Sequence, residues 1–286
     1  MAGRLKGKVA IVTGGASGMG KSTVELFLEE GAKVVAADVT DHLGEEMAQI
    51  LGPDFLYIHT DVSVEADMKH LVNETVKKFG RLDCMFNNAG YVGARGELFQ
   101  IDMDEFDETV GVLLKGVFLG YKYAVPVMKV QGSGSIISTA SVAGLQAGFG
   151  PQPYSACKAA VAHLARTAAL ELGPHNIRSN AICPGGIATS IFGSAMGLGS
   201  QVADKFGEFI KPRLAKIQPI PKAGLGRHIA ETALFLASDA SEFVTGQAIA
   251  VDGGLTSGPM HGIGASLNME EAVAEFMNSV QGAEQS

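Results

Sequence analysis

The chain has 286 residues, 47% of them hydrophobic, enough apolar material to fill one sizeable core. Its 30 acidic residues against 22 basic ones give a formal net charge of −8, a surface that repels nucleic acid and anionic membranes. The three cysteines, Cys84, Cys157 and Cys183, show no CxxC pair and no ligand-like histidine spacing, which argues against a disulfide framework or a zinc site and fits a reducing compartment.

Residues 1–8 are polar and basic, and the four-residue apolar run that follows is too short for a signal-peptide core. No later stretch reaches the roughly 18 uninterrupted apolar residues of a spanning helix, so the expectation is a soluble cytoplasmic protein with no membrane partner. Short runs rich in Val, Ile and Ala then alternate with segments of helical period, the pattern of a parallel sheet covered on both faces. Residues 9–12 read as the first strand, and 18–30 as a helix with Val24, Phe27 and Leu28 on its apolar side and Gly31 as stop signal. A strand at 33–37 ends at Asp38. A helix over 41–51, a strand at 55–59, a helix over 64–79 with Ser63 as N-cap, and a strand at 82–86 continue the alternation.

A long helical stretch over 103–130, interrupted near Gly111 and Pro126, precedes a strand at 135–138. Its acidic start, Asp102, Asp104, Glu105, Asp107 and Glu108, suits the positive end of a helix without calcium. An Ala-rich helix over 154–172 and a strand at 178–182 lead to a poorly periodic segment, 186–226, expected as a flexible lid. A helix at 228–237 and a strand at 248–251 close the sheet. Residues 1–257 are thus expected to form one catalytic domain, and 258–286 an extension with a helix over 269–280, packed on a neighbouring subunit or near the active-site mouth.

Between the first strand and the first helix stands Thr13-Gly14-Gly15-Ala16-Ser17-Gly18-Met19-Gly20, spaced Gly-xxx-Gly-x-Gly. A turn of this kind brings backbone N–H groups and a helix N-terminus up to a pyrophosphate, although a plain tight turn has the same composition. Asp38, 18 positions beyond Gly20, supplies a carboxylate for the adenosine ribose hydroxyls and repels a 2′-phosphate. Neither Gly15 nor Val39 offers a cation to offset it, so NAD is expected over NADP. A solvated strand end is the other reading of Asp38.

With these motifs, Asp61-Val62, Asn87-Asn88-Ala89-Gly90, Ser141, Tyr154-Ser155-Ala156-Cys157-Lys158, Pro184-Gly185 with Thr189, and Val251-Asp252-Gly253-Gly254 follow in order. Together they make the chain resemble the short-chain dehydrogenase/reductase family over residues 5–257. The resemblance implies a Rossmann-like, doubly wound, seven-stranded parallel sheet in a single α/β domain, and a homotetramer. It implies that Gly14, Ser17, Gly18, Met19, Gly20, Asp38 and Val39 bind the dinucleotide, that Asp61 and Val62 border the adenine, and that Asn87 to Gly90, with Asn88 and Ala89 between, line the inner ribose side. Pro184, Gly185, Ile187 and Thr189 would flank the nicotinamide.

Tyr154 and Lys158, four apart on a helix, emerge on one face. A free phenol titrates near pH 10, too high for a base at neutral pH, and a neighbouring ammonium is expected to lower it. Tyr154 then carries the proton as hydride moves between a carbon centre and the nicotinamide. Taken alone, such a pair is also a common surface feature. Ser141 resembles the family serine that orients the substrate oxygen. Many members also carry an asparagine three residues before the glycine corresponding to Gly116, supporting a water that leads from the lysine to solvent; Leu113 stands here.

The resulting expectation is an NAD-dependent oxidoreductase for a secondary alcohol or ketone of moderately apolar, cyclic or aromatic character. A 3-oxoacyl-type ketoreductase and a catalytically weak NAD-binding scaffold are the alternatives. Phe192, Met196, Leu198, Phe206, Phe209 and Ile210 suit either a substrate pocket or core and subunit contacts.

Overall fold

The computed structural model describes residues 3–258 and 269–283. In chain order these form β1 (Val9–Thr13), α1 (Gly18–Glu29), β2 (Lys33–Asp38), α2 (Asp41–Ile50), β3 (Phe55–His59), α3 (Glu65–Phe79), β4 (Cys84–Asn87), α4 (Met103–Val110), α5 (Gly116–Gln131), β5 (Gly134–Thr139) and α6 (Gln152–Leu172). Then come β6 (Ile177–Pro184), α7 (Ile191–Ala195), α8 (Ser200–Phe209), α9 (Lys211–Ile217), α10 (Gly226–Ala237), β7 (Ala248–Val251) and α11 (Met269–Ala283). They divide into two compact units, Met1–Pro184 with Gly226–Val251, and Gly185–Leu225 with Asp252–Ser286.

The first unit holds a seven-stranded parallel sheet of order β3-β2-β1-β4-β5-β6-β7, the Rossmann-like arrangement expected. Side chains alternate between its faces. Ile11, Val35, Met85, Ile136 and Ala181 share a cluster with Met68 and Leu71 of α3, Val117 and Ala124 of α5, and Val161 and Ala165 of α6. The residues between them point the other way: Ser135 Oγ donates to the Leu236 carbonyl of α10 (2.7 Å), and α10 packs on α1. Strand order reverses between β1 and β4, and parallel α/β sheets bind ligands in the crevice at the carboxyl ends of such a pair.

Two local expectations change. The first concerns Ser63, which does not cap α3. Its hydroxyl donates to Asp61 Oδ1 (2.7 Å), and Val64 takes the N-cap position. Asp102 does cap α4, accepting from the N–H groups of Asp104 and Glu105. Of the interruptions expected near Gly111 and Pro126 in the stretch Met103–Gln131, the first is a π turn over Gly111–Lys115 between α4 and α5, and the second is absent, α5 running unbroken through Pro126. Pro126 sits on its exposed side, while Leu119, Ala124 and Met128 bury the opposite face, and that burial outweighs the roughly 3 kcal/mol a mid-helix proline costs. By length and composition this rod could cross a membrane; here it covers β4 and β5.

In the second unit the segment expected as a lid forms α7, α8 and α9. Phe206, Ile210, Leu214 and Ala223 are buried together with Ala272 and Phe276 of α11. Phe276 meets Phe206 edge-on at 5.6 Å and Phe209 at 5.1 Å, and Arg213 pairs with Glu275 (2.5 Å). The apolar partner of these helices lies some 60 residues downstream, so local periodicity could not reveal them. The expected tail helix is α11, and it packs on α8 of its own chain. Residues 259–268 of the tail lie outside the described residues.

Candidate active site

The crevice is built at the end of β1. Gly14 and Gly18 take positive φ (+62° and +51°), and a Cβ on Gly20 would lie 1.9 Å from the Gly14 carbonyl oxygen, so the turn closes only with glycine there. Ser17 occupies the N-cap of α1 without a side-chain hydrogen bond, and no acidic residue stands in the first turn. The N–H groups of Gly18, Met19 and Gly20 therefore face no capping side chain, a donor set that fits a dinucleotide pyrophosphate. At the end of β2, Asp38 Oδ2 accepts from Ala16 N–H (3.1 Å) and Oδ1 from Thr40 N–H (3.0 Å). This carboxylate is thus tied to the glycine turn rather than free at a strand end. Val39 beside it is 58% exposed.

Across the crevice, Asn88 donates from Nδ2 to the Thr13 and Gly14 carbonyls (3.0 and 3.3 Å), while its Oδ1 accepts from Thr139 Oγ1 (3.2 Å). Thr13 Oγ1 accepts from the N–H groups of Asn88 and Ala89. Asn88 is thereby a tether holding β1, β4 and β5 in register at the crevice. Asn87 points elsewhere: its Oδ1 is buried without a partner, and a Cβ on Gly120 would lie 1.9 Å from it. Asp61 Oδ1 accepts from Ser63, and Val62 is buried against Gly116.

Ser141, just past β5, accepts from Ala143 N–H (3.1 Å). Its hydroxyl draws the Tyr154 phenol downward against the effect of burial. Lys158 is 3% exposed; its Nζ donates to the Thr139 carbonyl (2.6 Å) and lies 5.6 Å from the Tyr154 ring centroid. A Cβ on Gly144 would lie 2.5 Å from Lys158 carbonyl carbon, so the Ser141 loop presses directly on α6.

Burial pushes the Tyr154 phenol above its ordinary value, and Ser141 only partly opposes this. Burial also pulls Lys158 down, to about 8, and its hydrogen bond goes to a carbonyl, so at neutral pH the still largely protonated ammonium acts on the phenol only through space. Leu113 lies fully buried in the π turn; a side chain on Gly90 would meet Leu113 Cδ2 at 3.0 Å and Lys158 Nζ at 3.6 Å. The leucine therefore closes with apolar surface the place next to the lysine.

Pro184 ends β6. In the second unit Gly185 packs on Asp252, Ile187 bridges to Gly224, and Thr189 sits against Gly207 of α8. Phe206 and Ile210 are core residues there, whereas Phe192, Met196, Leu198 and Phe209 keep part of their surface open. In the first unit a cavity of about 590 Å³ opens just past Gly90, lined by Tyr91, Ala94, Arg95, Glu105 and Glu108 among others. Sequence reasoning missed Thr139, whose carbonyl takes the Lys158 ammonium and whose hydroxyl reaches Asn88, and Ala16, whose backbone N–H reaches Asp38 and carries no signal in residue type.

A family model described as "Enoyl-(Acyl carrier protein) reductase" matches residues 14–256. Tropinone reductase-like 1 of Erythroxylum coca is 43% identical over 255 residues, covering 88% of this chain and 91% of that protein. (+)-Borneol dehydrogenase 2 of Salvia officinalis is 40% identical over 259 residues, covering 89% and 91%. Among solved structures, levodione reductase is 33% identical and superposes with a TM-score of 0.79 over 89% of this chain and all of that one.

Proposed function

We propose, since this chain belongs to the short-chain dehydrogenase/reductase family and is an oxidoreductase of that kind, that it moves hydride between NAD and a secondary alcohol or ketone of moderately apolar, cyclic or aromatic character. The observation that carries this reading is the convergence of Ser141, Tyr154 and Lys158: one hydroxyl that acts on the phenol, one ammonium over its ring. A bound nicotinamide supplies or accepts the hydride. Tyr154 delivers the proton to the carbonyl oxygen in reduction and removes it from the hydroxyl in oxidation. Ser141 hydrogen-bonds the same oxygen and fixes its direction. Lys158, buried, keeps a positive charge near the phenol when protonated.

NAD is favoured because Asp38, held by Ala16 and Thr40, places a negative charge where a 2′-phosphate would need a cation. The apolar substrate class rests on the part-open Phe192, Met196, Leu198 and Phe209. A cytoplasmic homotetramer completes the proposal. An acyl-chain ketoreductase is the second reading, favoured by the description of the family model. A scan of secondary alcohols and of acyl thioester substrates with NAD and NADP, following the reduced cofactor, separates the two. Tight NAD binding with no turnover on any substrate would refute both in favour of a scaffold.

A further inference from the structure

The turn that carries Asp38 is braced from one side by a residue with no role so far. Tyr57, the middle residue of β3, pairs in register with Ala36 of β2 and sends its hydroxyl across the end of that strand. The hydroxyl donates to the Asp38 carbonyl (2.9 Å) and to Asp41 Oδ1 (2.7 Å). One phenol proton thus spans two acceptors, one on each side of the turn. His59 Nδ1 lies 2.7 Å from the same Asp41 oxygen, and since a carboxylate only accepts, the ring nitrogen carries the proton. Both bonds hold the Asp41 carboxyl below its ordinary value, Tyr57 contributing most.

The ring has its own socket. Gly44 of α2 faces it so closely that a Cβ there would fall 2.2 Å from two ring carbons. The glycine lets the aromatic side chain reach the strand end from underneath α2. The opposite side of Asp38 is held by Ala16 and Thr40, so backbone and carboxylate are each tied by separate partners.

We infer that Tyr57, seated on Gly44 and anchored by Asp41, is a positioning residue for cofactor choice: it holds Asp38 where its carboxylate meets the adenosine ribose hydroxyls and excludes a 2′-phosphate. This rests on the proposed role of Asp38. Charge-assisted bonds to a carboxylate depend on its direction, so a turn released on one side keeps the charge but loses the aim.

The test is calorimetric titration of the full chain with NAD and with NADP, without substrate, so that binding is read apart from turnover. Tyr57→Phe, which removes the hydroxyl donor to both Asp38 and Asp41, is expected to lower the NAD-to-NADP affinity ratio about 3- to 10-fold. Asp38→Ala is expected to lower it further, and adding Tyr57→Phe to Asp38→Ala to change nothing more. Gly44→Ala, which displaces the ring while keeping its hydroxyl, is the second variant and shifts the ratio the same way. An unchanged ratio in Tyr57→Phe beside a collapsed one in Asp38→Ala overturns the inference alone. An unchanged ratio in Asp38→Ala overturns the Asp38 reading and this inference with it.

Discussion

Lys158 stands with its Nζ 5.6 Å from the centre of the Tyr154 ring, yet gives its 2.6 Å hydrogen bond to the carbonyl of Thr139. The pair is close enough for charge to act through space but shares no proton. Two consequences follow from burial: the phenol is held up and the ammonium is held down, toward about 8. Each group therefore has its neutral form favoured by the same surroundings.

Replacing Tyr154 with Phe removes the proposed proton carrier and leaves the glycine turn intact. Turnover should fall by about 10²- to 10⁴-fold while the affinity for NAD, measured by calorimetry, stays within about twofold. A variant keeping most of its activity would show that the proton takes another route.

The raised phenol sets the direction of pH dependence. Oxidation needs the phenolate and reduction the neutral phenol, so the oxidation rate should climb as pH rises above neutral while reduction holds level and then declines. Paired pH–rate profiles in the two directions test this, and a reduction rate that climbs with pH contradicts it.

Lys158 links the site to stability. Its folded value near 8 lies below the unfolded value of 10.5, so between them the unfolded chain binds a proton that the folded one does not, and raising the pH stabilises the fold. The penalty, on the order of 3 kcal/mol, is fully present below pH 8 and vanishes above 10.5. The stability of wild type relative to Lys158→Met should therefore rise between pH 7 and 10. The Thr139 carbonyl left without a donor in the variant adds an offset of about 1 kcal/mol that does not vary with pH. Denaturant titrations at several pH values read the slope; parallel curves would mean the lysine is not depressed.

In the second unit, Phe276 is 6% exposed and touches both Phe206 and Phe209. Phe276→Ala should cost about 3 kcal/mol locally, seen as faster amide exchange across α8 and α9 with protection of the sheet strands retained. Uniform acceleration over the whole chain would indicate instead a single cooperative unit.

Leu113→Asn places an amide in a fully buried apolar spot next to Lys158. It should lower stability by about 1–3 kcal/mol and move the pH profile of oxidation, because water admitted with the amide relieves the desolvation of the lysine. A profile identical to wild type would separate Leu113 from the proton path.

Much of the first unit was legible from residue order. The Val/Ile/Ala runs, the glycine turn, Asp38 and the Tyr154–Lys158 spacing each signal through local chemistry, and the seven-stranded sheet follows from their alternation. Less legible was the helix over Met103–Gln131, because a proline on an exposed face carries the same letter as one that breaks a helix. The helices of 191–217 were hidden because the apolar surface that completes them belongs to α11.

What residue order determined by itself is therefore the set of strands and the crevice glycines, since periodicity and turn chemistry act within a few residues; the roles proposed for Ser141, Tyr154 and Lys158 rest on the family resemblance. Only the tertiary structure decided which group each one touches: Lys158 on Thr139, Asn88 across three strands, Tyr57 beneath Asp38. Those contacts, and the burial that sets the protonation of Tyr154 and Lys158, depend on atoms brought together from distant parts of the chain, many of them backbone carbonyls and N–H groups that every residue possesses.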